Sequence, residues 1–345
     1  MRWNSDQDGR YGIMGIMGIM KGITKYKTGF PYLILIIAWA IMPLFFNTRF
    51  WLHMFIVVFV RCTGAVGLRT VALSGNLSFA QAGFLGVGAY AAATMAIQGG
   101  VPPYLSIPAA AALTTALAIV TGFPFVRLRS IYFSMGTMFL GIAIIFIISA
   151  LPAMGGSTGL KNIPPLFGNA GMVANYYFFF ALVIISCALM YRFEFSRIGV
   201  TLRALAQSSD AAAAMGVNEV LYRLLAVGFG TFFTALAGAA YAHYNTSLSP
   251  TSFGMNMTLL FIVYVMVGGK DSFIGPIIGT ILMVLIPESS RALSQFAPYM
   301  SVGALLIVAY VLPGGLASMP DVINKAIAKR RAGTIIDPAG AGGKV

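Results

Sequence analysis

Charged residues are scarce in this sequence, and their scarcity excludes an ordinary soluble enzyme. Asp, Glu, Lys and Arg make up only 9% of the 345 residues, whereas a soluble domain carries about 25%. So few charges cannot cover the surface of a globule of this length. The apolar content of 59% and the mean hydropathy of +0.86 also exclude a disordered chain. Long apolar runs predict an all-α, polytopic transmembrane helical bundle rather than a barrel.

Acidic residues are rarer still, and histidine and cysteine are nearly absent. None of the nine Asp and Glu residues lies inside a predicted membrane span, although mid-membrane carboxylates are the usual relays for protons and sodium. This absence argues against an ion-coupled secondary transporter and against a membrane-embedded enzyme. His53 and His243 are far apart along the chain, and Cys62 and Cys187 lie in apolar runs. The sequence therefore predicts no catalytic, metal-binding or cofactor-binding residue.

A phosphate-binding loop is also missing, so the chain is not expected to hydrolyse ATP. The pattern G-x-x-x-x-G-K-[ST] does not occur, and the stretch 268–271, Gly-Gly-Lys-Asp, has only its glycine–lysine pair. If transport is active, the energy must come from another subunit. The net charge of +13 does not indicate nucleic-acid binding, because the basic residues lie in short loops and tails rather than on one folded face.

Ten apolar stretches are candidates for membrane spans, which need about 20 residues each. The stretches 176–191 and 273–287 are short, and the second contains Gly275, Pro276 and Gly279. One or two spans are therefore predicted to be broken or re-entrant. The ten candidates have the approximate limits 30–46, 50–73, 79–98, 104–122, 131–150, 176–191, 221–243, 252–268, 273–287 and 298–313.

The distribution of basic residues predicts the orientation of these spans. With the N-terminus in the cytoplasm and ten alternating spans, most Lys and Arg residues fall inside, whereas Arg49, Lys161 and Arg291 fall outside. This bias follows the positive-inside rule and predicts that both termini are cytoplasmic. The predicted organisation is a cytoplasmic tail over 1–29, a transmembrane domain over 30–320 and a second cytoplasmic tail over 321–345.

Two arginines lie in the predicted second span. Arg69 is about a turn from the inner end and is expected to snorkel to the interface. Arg61 is nearer the middle, where a cation costs at least about 2.5 kcal/mol on insertion scales. Two interpretations stay open for Arg61: contact with the substrate or another anion, or contact with another subunit or with backbone carbonyls.

Three polar residues, Asn76, Ser78 and Gln81, lie at the start of the third span. Together with Arg61 they are candidates for lining a translocation path. Caps and interhelical hydrogen bonds are the favoured alternative, because short polar side chains at a helix start commonly make them.

The loop from Arg192 to Tyr222 is the longest inner stretch of moderate polarity. Its residues Leu202, Leu205, Ala206 and Ala212 recur at helical spacing. Residues 208–210, Ser-Ser-Asp, offer an N-cap, and Gly216 is a natural stop, so the loop predicts two short helices with a break between them. Two interpretations are equally open: a solvated linker, or a small apolar knob that fits a groove on a peripheral partner.

Several short motifs follow one another in a fixed order along the chain. They are Ser74-Gly75-Asn76-Leu77-Ser78-Phe79-Ala80-Gln81, Arg127-Leu128-Arg129-Ser130-Ile131-Tyr132-Phe133, Gly155-Gly156-Ser157-Thr158-Gly159-Leu160, Leu202-Arg203-Ala204, Met215-Gly216-Val217-Asn218, Ala235-Leu236-Ala237-Gly238-Ala239 and Leu248-Ser249-Pro250. This order resembles the permease family of branched-chain amino acid ATP-binding-cassette (ABC) importers. The resemblance covers roughly residues 50–320, and its strength lies in the ordered set rather than in any one motif.

The resemblance implies that the loop 192–222 couples the permease to an ATPase. The coupling residues implied are Arg203, Asp210, Ala211, Ala212, Met215 and Gly216. The implied partners are a second permease subunit, two cytoplasmic ATP-binding subunits and an extracytoplasmic solute-binding protein, in the bacterial inner membrane. Membrane lipid is a further expected partner, near Lys21, Lys25 and Lys27. Branched-chain amino acids are the implied solute, while urea, amides, other small polar solutes and an ion-coupled transporter or channel remain alternatives.

The chain departs from the family pattern at charged positions. Asp210 is the one acidic residue in the polar part of the coupling loop, where the family usually has several. Arg69 stands where the family usually has Asn, and Arg61 stands where it has an apolar residue. Lys270 and Asp271 replace a small apolar pair. These changes bear on the choice of solute or partner.

Overall fold

The chain is seen in a computed structural model that describes residues 39–43, 48–128, 131–167, 171–269, 272–289 and 303. Most of the predicted spans 30–46 and 298–313 lies outside the described residues, and Lys270, Asp271 and both predicted tails lie wholly outside them. The chain divides into two compact units, residues 1–52 and 53–345. In the first, residues 39–43 are helical and a further helix begins at Arg49. The description below concerns the second.

Every described element is helical, which confirms the all-α prediction for this part of the chain. Three 3₁₀ turns join the helices, at Pro152–Met154, Gly156–Thr158 and Pro250–Phe253. The α-helices are α1 Arg49–Ala72, α2 Gln81–Gln98, α3 Pro103–Phe125, α4 Ile131–Ala150, α5 Met172–Glu194, α6 Arg197–Gln207, α7 Ser209–Ala214, α8 Glu219–Asn245, α9 Met255–Gly268 and α10 Gly275–Ser289.

Six segments are long and apolar enough to cross a membrane. They are α1, α3, α4, α5, α8 and the stretch Pro250–Gly268, which joins a 3₁₀ turn to α9. The 15-residue α10 extends only about 22 Å, less than the hydrocarbon core of about 30 Å. The chain is therefore a multi-pass membrane protein with six candidate spans among the described residues.

Of the two spans predicted to be short, the first is longer in the structure, and the second is a short helix without a break at its glycines and proline. The stretch 176–191 was predicted to be too short, but α5 is a continuous helix of 23 residues because flanking residues at both ends extend it. Within the stretch 273–287, α10 runs without interruption from Gly275. Pro276 does not break the helix, because it lies in the first turn, where backbone N–H groups make no hydrogen bond within the helix.

Helix ends gather at two opposite ends of the bundle. At the loop end, where residues 192–222 lie, Arg223 of α8 donates a hydrogen bond to the carbonyl of Val126 just after α3, at 3.2 Å. At the far end, Leu160 and Leu248 pair through their backbones. Successive long helices run in opposite directions between these two ends. The carboxyl ends of α1, α3 and α5 therefore lie together at the loop end.

Helix α2 is largely enclosed by the bundle, with 12 of its 18 residues buried. It packs against α3, α4 and α8. A Cβ atom on Gly238 of α8 would overlap the carbonyl oxygen of Leu85 in α2, so the two backbones touch. Small residues allow such close packing in membranes, where the hydrophobic effect contributes little to association between helices.

Replacing Gly238 with Ala is expected to destabilise the bundle by about 1–3 kcal/mol, because the added methyl pushes α8 away from α2. Gly122→Ala is the matched control, since a Cβ there meets its nearest neighbour at an ordinary 3.6 Å. Thermal unfolding of the detergent-purified protein checks the difference. Equal melting temperatures for the two variants would contradict the close α2–α8 contact.

Candidate functional site

The loop between α5 and α8 folds into two short helices, as predicted. Helices α6 and α7 are separated at Ser208, whose backbone is extended with φ −157°. The Ser208 hydroxyl accepts a hydrogen bond from the N–H of Ala211 at 3.3 Å, which caps α7. The chain leaves α7 through Gly216, which has φ +82°, a conformation that glycine adopts without strain.

Helix α6 lies with one face against the transmembrane helices. Leu202 and Leu205 on that face are buried. Leu202 packs in a cluster with Leu73 and Ala226, which lie just after α1 and in α8. Arg197, Ala204 and Gln207 on the opposite face are exposed. Burial of two leucines contributes about 1.5–3 kcal/mol each, so α6 is anchored to the bundle rather than loosely tethered.

A buried carboxylate, Glu194, joins α6 to the first transmembrane helix. Its two carboxylate oxygens accept hydrogen bonds from both terminal nitrogens of Arg69, one of them at 2.9 Å. Arg203 of α6 donates to the Glu194 backbone carbonyl at 2.8 Å and lies 3.6 Å from its carboxylate. A Cβ on Gly199 would overlap that carbonyl, so only glycine permits α6 to approach so closely. Glu194, in the last turn of α5, thus contacts both α1 and α6.

The position of Arg69 corrects a prediction. Arg69 was expected to snorkel to the interface, but it is 2% exposed and pairs with Glu194, which is 3% exposed. The physical reason is that α5 extends three residues beyond its predicted end at 191, and this extension brings Glu194 to the guanidinium. A buried pair with two parallel hydrogen bonds compensates the desolvation of both charges.

The coupling residues implied by the sequence divide between two faces. Arg203 contacts Glu194, and Ala212 is buried against the bundle. Met215 is 85% exposed, and Asp210, Ala211 and Gly216 are exposed beside it. We call residues 210–216 the knob, because it carries an exposed apolar tip at the end of the anchored pair α6–α7.

A second ion pair at the loop end was missed from the sequence. Glu219 and Arg223 form an ion pair at 2.6 Å on the first turn of α8. Arg223 is 5% exposed and also donates to the Val126 carbonyl. Their i, i+4 spacing was a usable signal, because such pairs face each other on a helix. This pair fixes the start of α8 against the end of α3, beside the knob.

The four candidates for a translocation path have separate surroundings in the hydrogen-bond network. Gln81 donates to Thr234 of α8 at 2.5 Å, and Arg61 donates to the hydroxyl of Tyr264 at 3.3 Å. The Ser78 hydroxyl accepts from the N–H of Ala80 at 3.4 Å. Among the described residues, no hydrogen bond joins two of the four candidates.

Two of the four path candidates each have one buried polar atom without a hydrogen-bond partner among the described residues. Within the described part of the chain, Nδ2 of Asn76 and Oε1 of Gln81 are both buried and make no hydrogen bond. Such groups usually find partners in folded proteins. No three His, Cys, Asp or Glu residues in the same part come together as metal ligands.

A family model described as the permease component of branched-chain amino acid transport systems matches residues 50–312. The chain belongs to this family. It is therefore a transport subunit rather than an enzyme, and the resemblance of its motifs is confirmed. A permease component works with the other components of a transport system.

Two curated relatives have the same description, "High-affinity branched-chain amino acid transport system permease protein LivM". One is from Salmonella typhimurium and one from Escherichia coli. Each is 25% identical over 283 residues, which cover 74% of this chain and 67% of the relative. No solved structure matches the chain significantly.

Proposed function

We propose that this permease carries branched-chain amino acids across the bacterial inner membrane as part of an ATP-binding-cassette importer. The observation that carries the proposal is the anchored pair α6–α7, whose knob exposes Met215 and Ala211 at the loop end of a family member. The names of both curated relatives support branched-chain amino acids as the solute. The sequence contains no phosphate-binding loop, and in this proposal the energy enters through the knob.

The knob docks on one of two cytoplasmic ATP-binding subunits. A second permease subunit, related to this one, completes the membrane part, and an extracytoplasmic binding protein delivers the solute to the far end. The orientation is supported by charge, since Arg127, Arg192, Arg197 and Arg203 lie at the loop end and Lys161 lies at the far end. The full proposal has ten spans over 30–320, with cytoplasmic tails over 1–29 and 321–345.

Movement of the knob reaches the membrane through Glu194. When the ATP-binding subunits close, α6 and α7 move together, because Leu202, Leu205 and Ala212 hold both helices to the bundle. Arg203 pulls on Glu194, and Glu194 pulls on Arg69 of α1. The contacts support a rigid lever: a buried ion pair transmits displacement where an exposed loop would absorb it.

Arg61, Asn76, Ser78 and Gln81 line the translocation path in this proposal. The unpartnered Asn76 Nδ2 and Gln81 Oε1 support it, because buried amide groups without partners are costly unless a solute or water visits them. The path is otherwise uncharged, which suits a small zwitterion.

Reconstitution in liposomes tests the proposal. The complete complex with binding protein is expected to concentrate leucine when ATP is supplied, because ATP closure drives the knob. This chain alone is expected to concentrate nothing, because it holds no energy source. Accumulation of leucine by the chain alone, or failure of the complete complex to accumulate it, would contradict the proposal. A complex whose ATP-binding subunit carries an inactivated hydrolytic site is the matched control.

A further inference from the structure

Arg61 is a cation in the middle of a membrane helix. It lies 12 residues after the start of α1 and 11 before its end, about 17 Å from either end. A charge at this depth is costly and persists where it has a partner or faces a water-filled cavity. Its surroundings therefore indicate what it does.

Arg61 differs from the two arginines that are buried at the loop end. Arg69 pairs with Glu194, and Arg223 pairs with Glu219. No Asp or Glu among the described residues lies within ion-pair distance of Arg61, whose one hydrogen bond there goes to the hydroxyl of Tyr264 at 3.3 Å. A guanidinium has five N–H donors, so four remain for a ligand.

The guanidinium lies on the one accessible stripe of α1. From His53 to Val71, every residue of α1 is buried except His53, Val57 and Arg61, which are half-exposed. Their i, i+4, i+8 spacing puts them on one face of the helix. Arg61 is therefore at the inner end of a narrow half-open face that begins near the far end of the bundle.

Tyrosine hydroxyl groups of α8 and α9 contact two of the three residues on this face of α1. Tyr244 bonds to Nδ1 of His53 at 2.8 Å, and its ring lies 6.3 Å from that of Tyr241. The Tyr264 hydroxyl of α9 lies at the guanidinium itself, since its oxygen accepts a hydrogen bond from Arg61 at 3.3 Å. Because the Tyr264 oxygen accepts from Arg61, its own O–H proton is left for a second acceptor. A cation and a phenol thus meet at mid-membrane.

We propose that Arg61, with the hydroxyl of Tyr264, binds the carboxylate of the amino acid in transit. The guanidinium fork matches a carboxylate with two parallel N–H···O bonds, and the Tyr264 hydroxyl donates a third. The solute supplies the negative charge that the chain itself does not place there. This inference rests on the proposed function, because it assigns the site that recognises the proposed solute.

Uptake of two solutes by the reconstituted complete complex tests the site. Leucine carries the carboxylate, and leucinamide replaces it with a neutral amide of similar shape. Arg61→Gln is expected to lower ATP-driven leucine uptake at least tenfold while changing leucinamide uptake less than threefold, because only leucine needs the cation. Arg61→Lys keeps the charge and is expected to retain leucine uptake within about fivefold. Tyr264→Phe is expected to lower leucine uptake about threefold or more.

Tyr90→Phe is the matched control for Tyr264→Phe, since Tyr90 is equally buried and its hydroxyl has no partner among the described residues. Its leucine uptake is expected to stay unchanged. An equal loss of both solutes in Arg61→Gln, or no loss of either, overturns the carboxylate site. Failure of Arg61→Gln to co-purify with the second permease subunit also overturns it, because Arg61 then pairs across the subunit interface. Absence of leucine uptake in the wild-type complex overturns the proposed function itself.

Discussion

Replacing Glu194 with Gln is expected to destabilise the folded permease by about 3–5 kcal/mol. The change leaves the Arg69 guanidinium buried, at 2% exposure, without the carboxylate that compensates its charge. Removing one partner of a buried ion pair carries a penalty of this size, because the remaining charge keeps its desolvation cost. Unfolding of the detergent-purified protein by heat or denaturant measures the loss against the wild type.

Arg69→Asn is expected to cost less than Glu194→Gln. Glu194 keeps Arg203 at 3.6 Å after this change, and the Arg203 side chain is 40% exposed, so the remaining charge is still paired and partly hydrated. The double variant Arg69→Asn, Glu194→Gln removes both buried charges and is expected to recover most of the stability lost in Glu194→Gln. Asp210→Asn, on the exposed knob, is the control and is expected to cost less than about 1 kcal/mol. A double variant as unstable as the sum of the single variants would contradict direct pairing.

The membrane helices were accessible to sequence analysis because hydropathy is a local property. Apolar runs mark α1, α3 and α4 to within a few residues. The end of α5 was misplaced because hydropathy falls at Arg192, whereas the helix continues to Glu194. What lets it continue is a partner 125 residues away along the chain. No window of hydropathy contains that information.

The loop between α5 and α8 shows the same division between local and distant information. The break at Ser208 and the stop at Gly216 follow from capping rules that involve three or four neighbouring residues, so both were predicted. The outward-facing residues of the loop were not predicted. The orientation of α6 is set by contacts with Leu73 and Ala226, which are distant along the chain. From the sequence alone, a solvated linker and an apolar knob were equally supported interpretations of this loop. The buried face of α6 supports the knob, because it holds the loop against the bundle.

Gly216→Asp is expected to abolish co-purification of the ATP-binding subunit, with at least a hundredfold loss of affinity, while the chain still inserts and folds. A Cβ at Gly216 meets no atom of this chain within 4 Å, and Asp tolerates the left-handed backbone at φ +82° better than most residues. The change therefore spares the fold of the knob. In the proposed docked complex, however, the carboxylate would enter an apolar groove without a partner, and burying an unpaired charge costs several kcal/mol.

Gly171→Asp is the matched control, because Gly171 is equally open and lies at the start of α5, at the far end of the bundle. Affinity purification of the permease, followed by quantification of the bound ATP-binding subunit, compares the two. Met215→Ala removes the most exposed apolar side chain of the knob without adding charge, and is expected to weaken binding by about 1–3 kcal/mol. If Gly216→Asp and Met215→Ala both bind normally, the ATPase docks elsewhere on the loop end. If Gly171→Asp fails as well, the loss reflects misfolding rather than docking.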